Sequence, residues 1–258
     1  MPNLGFISIA TGEKYREYWF DLIQSFRATF ANFDGLKFYL LTDDPESVIK
    51  FASKINLNIE VFEIPPYGWP EATLLRYKEI LKLEFYFKED ILIYLDADML
   101  VRHDFESNLR PESWKNGIAL VAHPGFWRPS GIPLIEYYLN NLLNFASDVM
   151  TFLRTGGLGS WEVRKQSKAF VARKARKIYV CGGTWMGKRV QFMKMVKTCS
   201  ENVDYDLDRG LIAKWHDESH LNKWSSENEA TILNPSYCFD PTYSNLKQLP
   251  EFIRAVRK

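Results

Sequence analysis

Four short apolar runs recur through the first hundred residues: Leu4–Ala10, Lys37–Thr42, 59–64 and Ile91–Leu95. Stretches with helical spacing lie between them, clearest over 15–30 and 72–87. Runs without polar alternation, Leu4–Ala10 and Ile91–Leu95 above all, read as strands buried on both faces, and 59–64, with its two glutamates, as a further strand. Strands that alternate with helices predict a mostly parallel sheet covered by helices. The expected fold class is therefore α/β, with a Rossmann-like nucleotide-binding half over 1–101.

The fourth run enters Asp96-Ala97-Asp98. That places an acidic pair at the carboxyl end of a strand, where open α/β sheets hold their ligands. Alternate residues of an extended chain point the same way, so Asp96 and Asp98 share a side, and Ala97 adds no bulk between them. Two hard oxygen donors suit Mn²⁺ or Mg²⁺, which could also hold a diphosphate. The competing reading is a surface turn with two solvated aspartates. A second acidic strand end, Asp43-Asp44-Pro45, is a rival, but proline followed by a helical pattern favours a helix cap.

The second half is less regular. Ile118–Ala122 is a strand ending at His123-Pro124-Gly125-Phe126-Trp127. The segment 128–160 is mixed and closes with a glycine-rich stretch, 155–160, expected to be a flexible loop. A basic run over 164–177 reads as a solvated face, the alternative being a place near an anionic ligand. Gly182-Gly183-Thr184-Trp185-Met186-Gly187 is expected to open a helix and lacks the Gly-Lys-Ser/Thr ending of a phosphate loop. The end of the chain, from Phe252 on, is expected to be mobile. One domain over 1–258 is expected, with a donor-sugar and acceptor half over 102–245 and a mobile tail over 246–258.

Lys+Arg total 33 against 32 Asp+Glu, so no charge excess argues for nucleic acid or an anionic membrane. The 8 Trp, 13 Tyr and 18 Phe suit either a full core or a sugar-binding cleft. Cys181, Cys199 and Cys238 form no zinc pattern and no disulfide framework, which favours a reducing compartment. No window reaches membrane-spanning length and no leader pattern opens the chain, so a soluble, cytoplasmic protein is expected.

Trp215-His216-Asp217-Glu218-Ser219-His220-Leu221-Asn222-Lys223 is the densest polar cluster. In a helix His216 and His220 lie one turn apart, as in a zinc hydrolase. Here, however, Asp217 follows the first histidine and Glu218 comes one position later. An aromatic platform beside a carboxylate suits sugar recognition and catalysis instead.

The Asp-x-Asp strand end, His-Pro-Gly-Phe, the Gly-Gly-x-x-x-Gly stretch and that nonapeptide, in this order, resemble glycosyltransferase family 6, in a microbial or viral form without an anchor. The resemblance implies a GT-A fold and retaining transfer of GalNAc or Gal from a UDP-sugar to the 3-OH of a β-galactoside acceptor oligosaccharide, forming an α-1,3 link. It implies a metal on Asp96 and Asp98, uracil contacts at Ile9, Ala10, Thr11 and Tyr15, and an organising Arg76. Ala97, Cys181, Gly182, Gly183, His216 and Asp217 fall at donor positions. His123, Trp215 and Asp240 fall at acceptor positions, and Glu218 at the catalytic carboxylate. Arg257 matches an arginine that closes over the diphosphate, with Lys247 a substitute for its lysine partner. Glu13 reads as an insertion that shifts the first turn. The bare glycines favour UDP-GalNAc over UDP-Gal. A non-catalytic sugar-binding protein and a zinc hydrolase on His216 and His220 are the alternatives.

Overall fold

The computed structural model describes residues 2–256. Arg257 lies outside the described residues. In the first half, β1 (Leu4–Ala10) leads into α1 (Glu13–Thr29), and β2 (Lys37–Thr42) into α2 (Pro45–Lys54). Next, β3 (Ile59–Glu63) leads into two short helices, α3 (Glu71–Leu74) and α4 (Arg76–Leu81), followed by β4 (Ile91–Leu95) and β5 (Met99–Val101). The second half begins with β6 (Ile118–Ala122), α5 (Ile132–Asn140), α6 (Leu142–Thr155) and β7 (Val180–Lys188). It ends with α7 (Arg189–Leu207), α8 (His216–Glu227), β8 (Thr231–Leu233) and β9 (Ile253–Ala255).

The main sheet runs β3-β2-β1-β4-β7-β6-β8. Its strands pair in parallel except β7, which runs against both β4 and β6. The expected α/β class holds: a mostly parallel sheet flanked by helices, like a GT-A fold. Both faces are covered, as the unbroken apolar runs require. Ile91, Ile93 and Leu95 of β4 pack with Trp19, Leu22 and Phe26 of α1. Leu92 and Tyr94 face the other way, onto Tyr77, Phe192 and Val196. Asp44 accepts the Ser47 amide at 3.1 Å and caps α2, so the second acidic strand end is a helix start, as its proline suggested.

Three expectations change. The helix over 72–87 is interrupted at Leu75 (φ −88°, ψ −2°) and stops at Leu81, after which turns carry Leu83 and Phe87 into the core and leave Phe85 outside. Gly182-Gly187 does not open a helix. It is part of β7, in the middle of the sheet, and the helix begins at Arg189. The glycines are there for clearance: a Cβ on Gly187 would lie 2.5 Å from the Ile118 side chain. The tail is not loose up to Val256. β9 pairs antiparallel with β5, and the Val256 amide donates to the Asp98 carbonyl at 2.8 Å.

Candidate active site

Two cavities meet at the carboxyl ends of β1 and β4. The first, of about 510 Å³, lies between the β1–α1 turn and the segment 66–76; Ile9, Thr11, Tyr15, Trp69, Asp96 and Asp98 help line it. The second, of about 400 Å³, is bounded by His123, Phe126, Gly182, Trp215, Glu218 and Tyr243. Thr73, Arg76 and Asp96 line both, so the junction is built from these three side chains.

Local structure explains how they converge. The Asp96 amide donates to the Gly183 carbonyl at 2.9 Å, which holds the end of β4 against β7. Asp96 and Asp98 do face one cavity, but through a turn after Leu95 and not through strand alternation. Tyr94 donates its hydroxyl to Asp96 Oδ1 at 2.9 Å and lies under the Arg76 guanidinium, 4.9 Å from the ring centroid. Arg76 Nη1 reaches Asp96 Oδ1 at 3.2 Å, Asp217 Oδ2 at 3.2 Å and the Gly182 carbonyl at 3.0 Å. This buried arginine therefore ties β4, β7 and α8 together. A Cβ on Gly182 would lie 3.0 Å from Asp217 Oδ2, and one on Gly183 would lie 2.6 Å from Met99 Cε and 3.1 Å from Asp96 Oδ2. The two glycines let Asp96, Asp217 and Glu218 close on the sheet.

Burial shapes the charges. It raises Asp217 to about 7, although Arg76 pulls the other way. It raises Glu218 to about 7 as well, against the Gly182 amide, which donates to Glu218 Oε2 at 2.9 Å, and the Tyr179 hydroxyl. Burial opposes the charge on Arg76, but Asp217 and Asp96 outweigh it and hold the guanidinium protonated. Burial lowers His123 to about 4. Its Nδ1 accepts the Gly125 amide at 3.1 Å, so a neutral ring carries its proton on Nε2, as a hydrogen-bond donor.

The wall beside Trp215 is fixed from behind. Trp215 donates its indole N–H to Ser160 Oγ. Two residues on, Glu162 accepts the Arg164 amide at 2.8 Å on Oε1 and the Lys214 amide at 2.8 Å on Oε2, with the Arg164 guanidinium alongside. Burial would raise this carboxylate, but these donors bring it down to about 2. A lowered carboxylate stabilises the fold above its unfolded value of 4.5, and the contribution disappears as pH falls through 4.5 towards 2. Glu162→Gln is therefore expected to cost about 2–3 kcal/mol in urea denaturation at pH 7 and much less at pH 3. A pH-independent difference would refute this.

A family model described as glycosyltransferase family 6 matches residues 154–258. The chain is 26% identical over 247 residues to the O-antigen biosynthesis glycosyltransferase WbnI of Escherichia coli, covering 95% of this chain and 92% of that protein. This match and this relative support a family 6 glycosyltransferase. It is also 26% identical over 208 residues to histo-blood group ABO system transferase 1 of Rattus norvegicus, covering 79% of this chain and 51% of the rat protein. To globoside alpha-1,3-N-acetylgalactosaminyltransferase 1 of Homo sapiens it is 23% identical over 262 residues, covering 99% of this chain and 65% of the human protein. The chain thus spans about half to two thirds of the animal relatives' length. Together these relatives support a glycosyl-transfer role, at the general level of a hexosyltransferase.

Most of the expected residues converge. Ile9, Thr11, Tyr15, Arg76, Asp96, Ala97 and Asp98 line the first cavity, and His123, Gly182, Gly183, Trp215, His216, Asp217 and Glu218 the second. Ala10 and Cys181 line neither and are buried in the core. Asp240 also lines neither, although its charge acts on His123. Lys247 borders a separate cavity beside α5. Glu13 is the first residue of α1 and lines the first cavity.

The zinc alternative fails on geometry. His216 has φ 44°, so the helical spacing to His220 is broken at its first member. The His216 ring packs 5.0 Å from Trp69, whereas His220 Nε2 lies 3.7 Å from Asp206. No group of three or more His, Cys, Asp or Glu that could hold a metal occurs among the described residues.

Sequence reasoning passed over Thr73, Tyr94, Phe126, Ser160, Tyr179 and Tyr243. Tyr94 stands two residues before Asp96 and Phe126 closes the His-Pro-Gly-Phe motif, both visible signals; the others carry none until the chain folds. Asn222 lay within the nonapeptide: it accepts the Val180 amide at 2.9 Å and donates to the Glu218 carbonyl at 2.9 Å, which locks α8 to β7.

Proposed function

We propose that this chain is a retaining hexosyltransferase that moves galactose or N-acetylgalactosamine from a UDP-sugar to the 3-OH of a β-galactoside, fucosylated or not, forming an α-1,3 link. The observation that carries the reading is the shared junction. Asp96 and Arg76 stand where a nucleotide cavity passes into a second cavity containing a lone glutamate, an aromatic platform and a neutral histidine. A nucleotide diphosphate in the first cavity would end at this junction, with its sugar directed towards Glu218. Trp215 and Phe126 suit the apolar face of an acceptor sugar, and His123 Nε2 can donate to a hydroxyl. Arg76 Nε is buried without a hydrogen-bond partner among the described residues, a donor left over for a ligand oxygen.

The donor set fits Mn²⁺ or Mg²⁺. The first cavity is lined by the carboxylates of Glu13, Asp43, Asp96 and Asp98 against the cations Lys14 and Arg76, a balance that repels a diphosphate unless a further cation is present. Such an ion needs only one or two protein carboxylates when phosphates complete its shell, so Asp96 and Asp98 would hold it. When bound, it supplies Lewis-acid stabilisation of the charge on the departing nucleotide. Arg76 orients Asp96 and adds charge-assisted hydrogen bonds, Tyr94 fixes the same carboxylate, and Glu218 faces the positive charge that develops on the sugar. Retention uses that carboxylate as nucleophile or as ion-pair partner.

The glycine argument for GalNAc does not carry over, because the space above Gly182 and Gly183 is taken by Asp217, Glu218, Met99 and Asp96. UDP release from UDP-GalNAc and UDP-Gal, with and without Mn²⁺, tests the proposal, with lactose and a fucosylated galactoside as acceptors. Metal-dependent release accelerated by an acceptor is expected. No release under any combination would favour the sugar-binding alternative.

A further inference from the structure

We propose that the hairpin of α5 and α6, together with the basic segment behind it, is a docking surface for an anionic lipid bilayer. Neither helix buries a single residue. More telling is which side faces out. A helix on a water-soluble body turns its apolar stripe inward and its polar residues outward. In α6 this is reversed. Asn144, Asp148, Thr151 and Thr155, with Asn141 just before the helix, recur at a spacing of three and four and form the half-buried stripe. That stripe is held by polar contacts: Asn144 donates to the Tyr137 hydroxyl at 2.8 Å, and Asp148 accepts Arg128 at 2.5 and 2.9 Å and Tyr138 at 2.9 Å. Leu143, Met150, Phe152 and Leu153 point into solvent, Leu143 at 87% exposure, and Ile132, Ile135 and Leu139 of α5 extend the patch. An apolar surface of this extent on two successive helices marks an interaction site.

Charge decides between partners. Arg154, Arg173, Lys174 and Lys177 are exposed at the end of α6 and in the segment that packs on it. Arg173 donates to the Leu153 carbonyl and Arg176 to the Thr155 carbonyl, so the basic segment is joined to the hairpin. Between 154 and 177 the single acid is Glu162, which is buried. A chain with balanced total charge thus concentrates cations along one edge of its apolar patch. Outward apolar residues beside a cationic edge are the chemistry of an interfacial helix on anionic lipid. No described helix is long and apolar enough to cross a membrane, so the contact would lie at the surface. The surface goes beyond the transferase reading and does not depend on it. Phe126, six residues before α5, and Ser160, five residues after α6, line the second cavity.

Co-sedimentation of the full chain with phosphatidylcholine vesicles, with and without phosphatidylglycerol, tests this. Binding is expected with the anionic vesicles, weakening as salt is raised. Leu143→Glu/Met150→Glu and Lys174→Glu/Lys177→Glu are each expected to lower partitioning about tenfold or more without changing the melting temperature by more than a few degrees, since none of these side chains is buried. The proposal is overturned if the wild-type chain stays in solution with anionic vesicles, or if it binds and both variants bind equally well. Sedimentation velocity supplies the competing outcome: self-association that Leu143→Glu/Met150→Glu abolishes, without vesicle binding, would assign the patch to a second copy.

Discussion

Glu218→Gln is expected to lower sugar transfer by roughly two to four orders of magnitude while leaving UDP affinity within about threefold. The amide keeps the size of the side chain, so the loss reads the charge and not the space. Glu218 lines the second cavity and is absent from the lining of the first, which is why nucleotide affinity should survive. The same substitution has a stability signature. Burial raises the Glu218 carboxyl from 4.5 to about 7, so between these values the folded chain binds more protons than the unfolded one. Folding is then penalised increasingly as pH rises from 4.5 to 7, and the full penalty is present above 7. Glutamine removes it. The variant should therefore be more stable than the wild type by about 2 kcal/mol at pH 8.5, with the gain vanishing near pH 4.5. Urea denaturation without nucleotide or metal measures this. Near-normal turnover would remove Glu218 from the mechanism, and an equal gain at both pH values would remove the buried carboxylate from the explanation.

Arg76→Met is the second large effect. Methionine fills much of the same volume but leaves Asp96 and Asp217 facing each other across the former position of Nη1, which lies 3.2 Å from each. Breaking a buried ion pair from one side costs about 3–5 kcal/mol, because the remaining charges stay desolvated. The loss should grow as pH rises through 7, where Asp217 ionises in the wild type and gains the pairing with Arg76 that the variant lacks, and be smaller at pH 5, where Asp217 is protonated in both. Arg76→Met/Asp217→Asn should recover a large part of the stability, since one of the stranded carboxylates is gone. It should not recover transfer, which is expected to stay more than about a hundredfold below wild type for lack of the cation at the junction. If the double variant is no more stable than the single one, Asp217 is not what Arg76 neutralises.

The sequence was most legible where one physical rule acts alone. Unbroken apolar runs such as Ile91–Leu95 must be buried on both faces, so a helix-covered sheet and its acidic strand end could be read directly. Trp215 to Lys223 was legible through chemistry, because an aromatic ring and a carboxylate share one helix start. The Gly182-Gly187 stretch misled. Glycine punctuates chains and also makes room for neighbours, and only the neighbours distinguish the two. Here the neighbours are Asp217, Met99, Asp96 and Ile118, which come from other parts of the chain. The tail misled for a similar reason: a basic, polar end looks loose until β5 offers an edge to pair with.

The amino-acid order by itself determined the α/β class, the acidic pair after β4 and the placing of Glu218 beside Trp215, because burial periodicity and local helix geometry act over a few neighbouring residues. Only the tertiary structure decided that Arg76 bridges Asp96 and Asp217, that Thr73, Arg76 and Asp96 join two cavities, that His216 and His220 part company, and that α6 turns its apolar side outward. Each of these depends on which distant segments meet at the sheet edge and on how much water they exclude, and no local rule contains that information.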